Sequence, residues 1–164
     1  MLTADPLENL ALRVLHAARA RGLTIAAAES CTGGLVAASI CAIPGASEVF
    51  ERGFVTYTNR AKTEMIGVPA ETLEAYGAVS EPTARAMATG ALAASPCDLA
   101  VAITGIAGPG GGSAQKPVGT VHIAVAARGG AVIHRKEQFG DRTRAAIQHA
   151  SAASALALLL EAMA

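Results

Sequence analysis

Charge is scarce and evenly matched in this chain of 164 residues: thirteen Lys and Arg balance thirteen Asp and Glu, and charged residues make up 16% of the total. Without a net field, nothing draws the protein onto nucleic acid or an anionic membrane surface, so neither is an expected partner. Any basic residue that matters must act singly. Cysteine is scarcer still. Cys31, Cys41 and Cys97 are odd in number and lack CxxC spacing, which argues against a disulfide framework or a zinc knuckle and suits a reducing cytoplasm. The N-terminus, MLTADPLENL, has no basic stretch followed by an apolar core, so no secretory signal is expected. Even the most apolar segment, Ala145 to Ala164, is broken by Gln148, His149, Ser151, Ser154 and Glu161, too many polar groups for a spanning helix. A buried or interface helix is the expectation there. No His, Cys, Asp or Glu residues recur at ligand spacing, so neither a metal nor another cofactor is expected. Repeats and linkers are also missing. What is abundant is apolar surface, 52% of residues, enough for one domain over residues 1–164 to bury a real core.

DPLENLALRVLHAARARG predicts a helix capped by Asp5, with Pro6 at its first position, an apolar stripe through Leu7, Leu10, Ala11, Val14, Leu15 and Ala18, and a stop at Gly22. LTIAAA reads as a buried strand that turns at Glu29 to Thr32 into a second helix starting near Gly33 or Gly34 and running to Pro44-Gly45. GFVTYT predicts the next strand, and Asn59 is the expected cap of a helix RAKTEMI that ends at Gly67. A short helix near Ala70 to Ala75 and a longer one capped by Ser80 precede the buried strand DLAVAIT. The loop Gly105 to Gly119 follows. A hairpin turns about Gly129-Gly130, and the closing helix is expected to be capped by Asp141. Helices alternating with strands, with a hairpin at one end, predict an α/β fold, a three-layer α/β/α sandwich around a mixed sheet.

TIAAAESCTGGL places an acid, a serine, a cysteine and a threonine in succession at the strand-to-helix corner, before two glycines. Ligands in open α/β sheets bind beyond the carboxyl ends of strands, where helix N-termini present free amides. Ser30 falls there, and amides around Thr32, Gly33 and Gly34 could hold an oxyanion or a phosphate. A capping role for Ser30 or Thr32 is the plain alternative, and Cys31 is expected to pack as a small apolar side chain. No GxSxG elbow, no SxxK from Ser30 and no HExxH is present. None of His16, His122, His134 and His149 has a partner at a fixed offset, so each is expected to be structural or solvated. Lys62 stands out. A cation in a helix's first turn opposes the macrodipole, and burial would lower its pKa further, which suits a base for a serine hydroxyl, with Tyr57 able to relay the proton. The competing reading is a solvated lysine. "GPGGG" by itself is as readily a flexible connection as a ligand cradle, but its position after a buried strand, on the sheet edge expected for Ser30, makes it an expected pocket wall.

The runs AAAESCTGG, FERGFVTYTNRAK, GAVSEP, TGIAGPGGGSAQKPVGTVHIA and FGDR resemble the C-terminal domain of the competence/damage-inducible CinA family, from about Pro6 to the last helix. Members that occur alone act as nicotinamide-nucleotide amidases, so the resemblance implies hydrolysis of nicotinamide mononucleotide to nicotinate mononucleotide and ammonia in pyridine nucleotide salvage. It implies Ser30, Tyr57 and Lys62 as the catalytic residues and Thr104 and Gly105 in a substrate loop. It also places Arg142, in the GDR motif, at the substrate; a cation at a helix N-terminus makes sense where an anion such as a phosphate lies between them. The sequence departs from the family in having Gln148 where a further arginine is common, with Arg144 just before it. Full-length members carry a separate N-terminal domain, associated with nucleotide-pyrophosphatase activity, to which nothing here corresponds. The expected partners are a small-molecule nucleotide and further copies of the chain as a homo-oligomer. Two other classes compete: a non-catalytic nucleotide-binding or competence/damage-associated partner-binding module, and a hydrolase using Cys31.

Overall fold

Asp5 begins the first element because its side chain accepts the Leu7 amide at 3.0 Å while Pro6 supplies a preset φ at the first helical position. The computed structural model describes residues 5–164, so the first four residues of the expected domain, and of the stretch read for a secretory signal, lie outside the described residues. Helix α1 (Pro6–Arg21) is followed by β1 (Ile25–Glu29), α2 (Leu35–Cys41), β2 (Phe50–Val55), α3 (Asn59–Ile66), α4 (Ala70–Tyr76) and α5 (Glu81–Ala93). Strand β3 (Leu99–Gly105), the hairpin of β4 (Thr120–Ala127) and β5 (Val132–Gln138), and α6 (Arg144–Ala162) complete the chain.

Among the described residues the five strands form one mixed sheet in the order β2-β1-β3-β4-β5, with β1 parallel to β2 and β3 and the hairpin antiparallel. The alternation of side chains sorts the sheet into two unlike faces. One face carries large residues, Ile25, Leu99, Val101, Ile103, Val121, Ile123 and Val125, packed with α1, α2 and α6. The other carries Ala26, Ala28, Ala100, Ala102, Ala124 and Ala126, packed mainly with α5. The small alanine side chains on both let the helix and the sheet come close together. Helix α6 is long and apolar enough to cross a membrane by length and composition, yet Ile147, Ala152, Ala155, Leu156 and Leu159 lie buried in the first core, in keeping with the expected buried helix.

Within α5, Gly90 lets α3 approach: a Cβ there would lie 1.8 Å from the Ile66 carbonyl oxygen. Gly90→Ala gains helix propensity of up to about 1 kcal/mol but must push α3 away, and overpacking of this kind costs about 1–3 kcal/mol. A lower thermal midpoint is expected, read by calorimetry or circular dichroism, and an unchanged or higher midpoint would show that α3 shifts freely.

Two expected caps are corrected. Helix α3 is capped by Thr58, whose side chain accepts the Ala61 amide, rather than by Asn59. Helix α6 is capped by Thr143, whose hydroxyl accepts from Ala146, rather than by Asp141. In both places two cap-forming residue types stand close together, and local chemistry does not choose between them. The second strand also begins earlier than GFVTYT suggests, at Phe50, and ends at Val55.

Candidate active site

Strands β1 and β2 end in register, and β3 runs two residues further. Glu29 of β1 lies between Val55 of β2 and Ile103 of β3, so the next residues, Ser30, Thr56 and Thr104, stand side by side, the first two just past the ends of their strands. After β1 the chain turns to the face of α1 and α6; after β2 it turns to the face of α5. Such a divergence opens a crevice at the strand ends. A cavity of about 260 Å³ lies there, lined by Ser30, Cys31, Tyr57, Lys62, Thr104 and Arg144 together with the loop from Gly105 to Gly111. Small-molecule sites run from roughly 300 to 1,000 Å³, so this cavity lies just below that range.

Lys62 is 1% exposed, and its Nζ lies 3.1 Å from Ser30 Oγ and donates to the Thr56 carbonyl oxygen at 3.0 Å. No carboxylate contacts it among the described residues. Burial holds the ammonium's pKa below its ordinary 10.5. A lysine with these surroundings can lose its proton and accept that of the serine. Burial pushes the neighbouring Cys31 thiol up to about 12, so its thiolate is scarce near neutrality, which speaks against Cys31 as the nucleophile. His122 and His134 stack on one another on β4 and β5, with Nδ1 of the first 2.9 Å from Nε2 of the second, and burial lowers His122 to about 4; among the described residues no histidine lines the cavity. Among the described residues, no group of three or more His, Cys, Asp or Glu side chains is arranged to hold a metal ion.

The other expected site residues stand less close to the Ser30–Lys62 pair. Tyr57 lines the cavity, but it is 54% exposed and its hydroxyl accepts from Arg144 Nη2 at 2.5 Å instead of standing between Ser30 and Lys62. Thr32, Gly33 and Gly34 do not line the cavity. The two glycines take left-handed φ values of 59° and 109°, which side chains resist, so they serve the turn. The amides at the start of α2 are engaged as well: Glu29 Oε1 accepts from Val36 at 2.8 Å and Oε2 from Ala37 at 3.0 Å, while Gly33 donates to the Ser30 carbonyl. The cavity-lining amides of Cys31, Ala107 and Gly108 have no protein acceptor among the described residues.

Arg142 is likewise outside the cavity. It precedes α6, is exposed, and its guanidinium lies 5.9 Å from the centre of the Phe139 ring. Arg144, the first residue of α6, is the arginine at the cavity, donating to the Gly108 carbonyl at 2.7 Å as well as to Tyr57. The clue was present in the sequence, since two arginines flank Thr143 and only the true cap decides which begins the helix. Gln148 donates to the Cys31 carbonyl at 3.0 Å and steadies the turn, and Thr104 donates to the Ala78 carbonyl, tying the end of β3 to the approach of α5.

The family model for the CinA C-terminal domain matches residues 7–163. A protein of Escherichia coli K12 named nicotinamide-nucleotide amidohydrolase PncC is 56% identical over 142 residues, covering 86% of each chain. A CinA-like protein of Akkermansia muciniphila is 62% identical over 117 residues, which is 71% of this chain and 28% of that longer protein. The crystal structure of the competence/damage-inducible protein CihA from Agrobacterium tumefaciens superposes with a TM-score of 0.94 at 51% identity, covering 98% of both chains.

Proposed function

Because the chain belongs to the CinA C-terminal domain family, we propose that it is an amidohydrolase that deamidates nicotinamide mononucleotide in pyridine nucleotide salvage. The observation that carries the mechanism is the 3.1 Å approach of a buried Lys62 Nζ to Ser30 Oγ at the floor of the cavity. Neutral Lys62 takes the hydroxyl proton as Ser30 Oγ attacks the carboxamide carbon. The oxyanion accepts from the amides of Cys31, Ala107 and Gly108. Lys62 then hands its proton to the departing nitrogen, the C–N bond breaks, and ammonia leaves an ester on Ser30. Water, deprotonated by Lys62, opens the ester; the carboxylate product departs and Ser30 recovers its proton. Tyr57 holds the mouth of the cavity through its bond to Arg144, and Arg144 receives the phosphate. The three unpaired cysteines suit a reducing cytoplasm.

Purified protein given nicotinamide mononucleotide is expected to release ammonia, and to do so equally in EDTA, because the chemistry runs through side chains and backbone amides. Activity lost on chelation and restored by zinc would overturn this mechanism. Binding without turnover would favour a nucleotide-binding module, which has no need of a base against Ser30.

A further inference from the structure

The Ser30–Lys62 pair leaves one buried carboxylate of the same turn unused. Glu29 is 1% exposed and immediately precedes Ser30. Its Oε1 accepts from the Thr32 hydroxyl at 2.7 Å and from the Val36 amide, and its Oε2 from the Ala37 amide. Helix α2 has Gly34 at its cap and no capping side chain in sequence. A carboxylate from the end of the preceding strand does that work instead, satisfying orphan amides that an N-cap side chain would normally take. The loop between Glu29 and Val36 is thereby closed at both ends, and Ser30 lies inside it.

The backbone of the same residue reaches the other member of the pair. The Thr56 amide donates to the Glu29 carbonyl at 2.8 Å, and the Thr56 carbonyl accepts from Lys62 Nζ. On the far side, the Ser30 amide donates to the Ile103 carbonyl. One residue therefore anchors the turn that presents the serine through its side chain, and the strand end that holds the lysine through its main chain. We propose that Glu29 is a positioning residue whose carboxylate, by clasping Thr32 and the first amides of α2, sets the Ser30 hydroxyl at reacting distance from Lys62. The proposal rests on the serine–lysine reading of the site but not on the identity of the amide substrate.

Glu29→Gln keeps the shape but sets an amide nitrogen against at least one backbone or hydroxyl donor, because a side-chain amide has only one acceptor oxygen. Reactivity of Ser30 is read by the rate of labelling with a fluorophosphonate, and turnover by ammonia release from nicotinamide mononucleotide, both well below the variant's melting temperature. Labelling and kcat are each expected to fall about 30- to 100-fold with KM within about twofold, as for loss of alignment in the reacting pair. A merely structural role predicts a lower melting temperature with reactivity per folded molecule unchanged, and that result would overturn the proposal. Should Glu29→Gln not fold, Thr32→Val removes a single bond to the carboxylate and leaves the helix amides engaged. A labelling rate lower by about three- to tenfold, restored by Thr32→Ser, is expected for a partial loss of the same alignment; equal rates in both variants refute the positioning role. Wild-type protein that labels at Ser30 but does not turn over the nucleotide would overturn the substrate alone. No labelling of Ser30 in the wild type would overturn the pair and the positioning role together.

Discussion

Ser30→Ala and Lys62→Met are each expected to lower kcat by on the order of a thousand-fold or more, and the double variant by little beyond the worse single, since members of one catalytic unit are not additive. The two changes act at the ends of one 3.1 Å contact, and removing either leaves the other with no proton partner. Lys62→Met also separates catalysis from folding. The side chain is 1% exposed and among the described residues no carboxylate contacts it, so an apolar chain of similar length relieves a desolvated cation; a thermal midpoint equal to or above the wild type is expected. The pH dependence follows from the same burial. Lys62 acts as a base only when neutral, and its folded pKa lies below 10.5, so kcat/KM should rise with pH and level off at that lowered pKa. For stability the sign is the same. Between the folded pKa and 10.5 the unfolded chain holds the extra proton, so the contribution of Lys62 to stability rises with pH across that window, and Lys62→Met should flatten it. Near-normal turnover in folded Lys62→Met would remove this residue from the chemistry.

Arg144→Ala is expected to raise KM for nicotinamide mononucleotide about 10- to 100-fold, the range for loss of a hydrogen bond to a charged group, while Arg142→Ala stays within about twofold. Arg144 sits at the first position of α6 and reaches both the Gly108 carbonyl and Tyr57 at the mouth of the cavity. A cation at a helix N-terminus opposes the macrodipole, and an anion held between the two removes that conflict. Arg142, exposed ahead of the helix near the Phe139 ring, does not line the cavity. Free nicotinamide lacks the phosphate, so its use should barely respond to Arg144→Ala. A raised KM in Arg142→Ala with none in Arg144→Ala would reverse the assignment.

Much of this molecule follows from local rules. The apolar stripe of α1, its start at Asp5 and Pro6, the buried runs of β1 and β3 and the hairpin are readable because each depends on neighbours within a few residues. Chemistry, too, was legible in part: a serine at a strand-to-helix corner and a lysine early in a helix are unusual enough to name before any contact is seen. Which residues meet was another matter. Ser30 and Lys62 are 32 positions apart, and what joins them is the parallel register of β1 and β2, which sets Thr56 beside Ser30 and turns the carbonyl of Thr56 onto the lysine. Choosing between Arg142 and Arg144 needed the cap at Thr143, and the fate of the α2 amides needed Glu29, whose carboxylate reaches seven and eight residues ahead to take them. Sequence by itself determined the elements and the reactive residue types, because periodicity and capping are short-range; tertiary structure alone decided which groups are free, which are engaged and which face the cavity, because hydrogen bonds between distant segments compete for the same donors and only the packed sheet settles that competition.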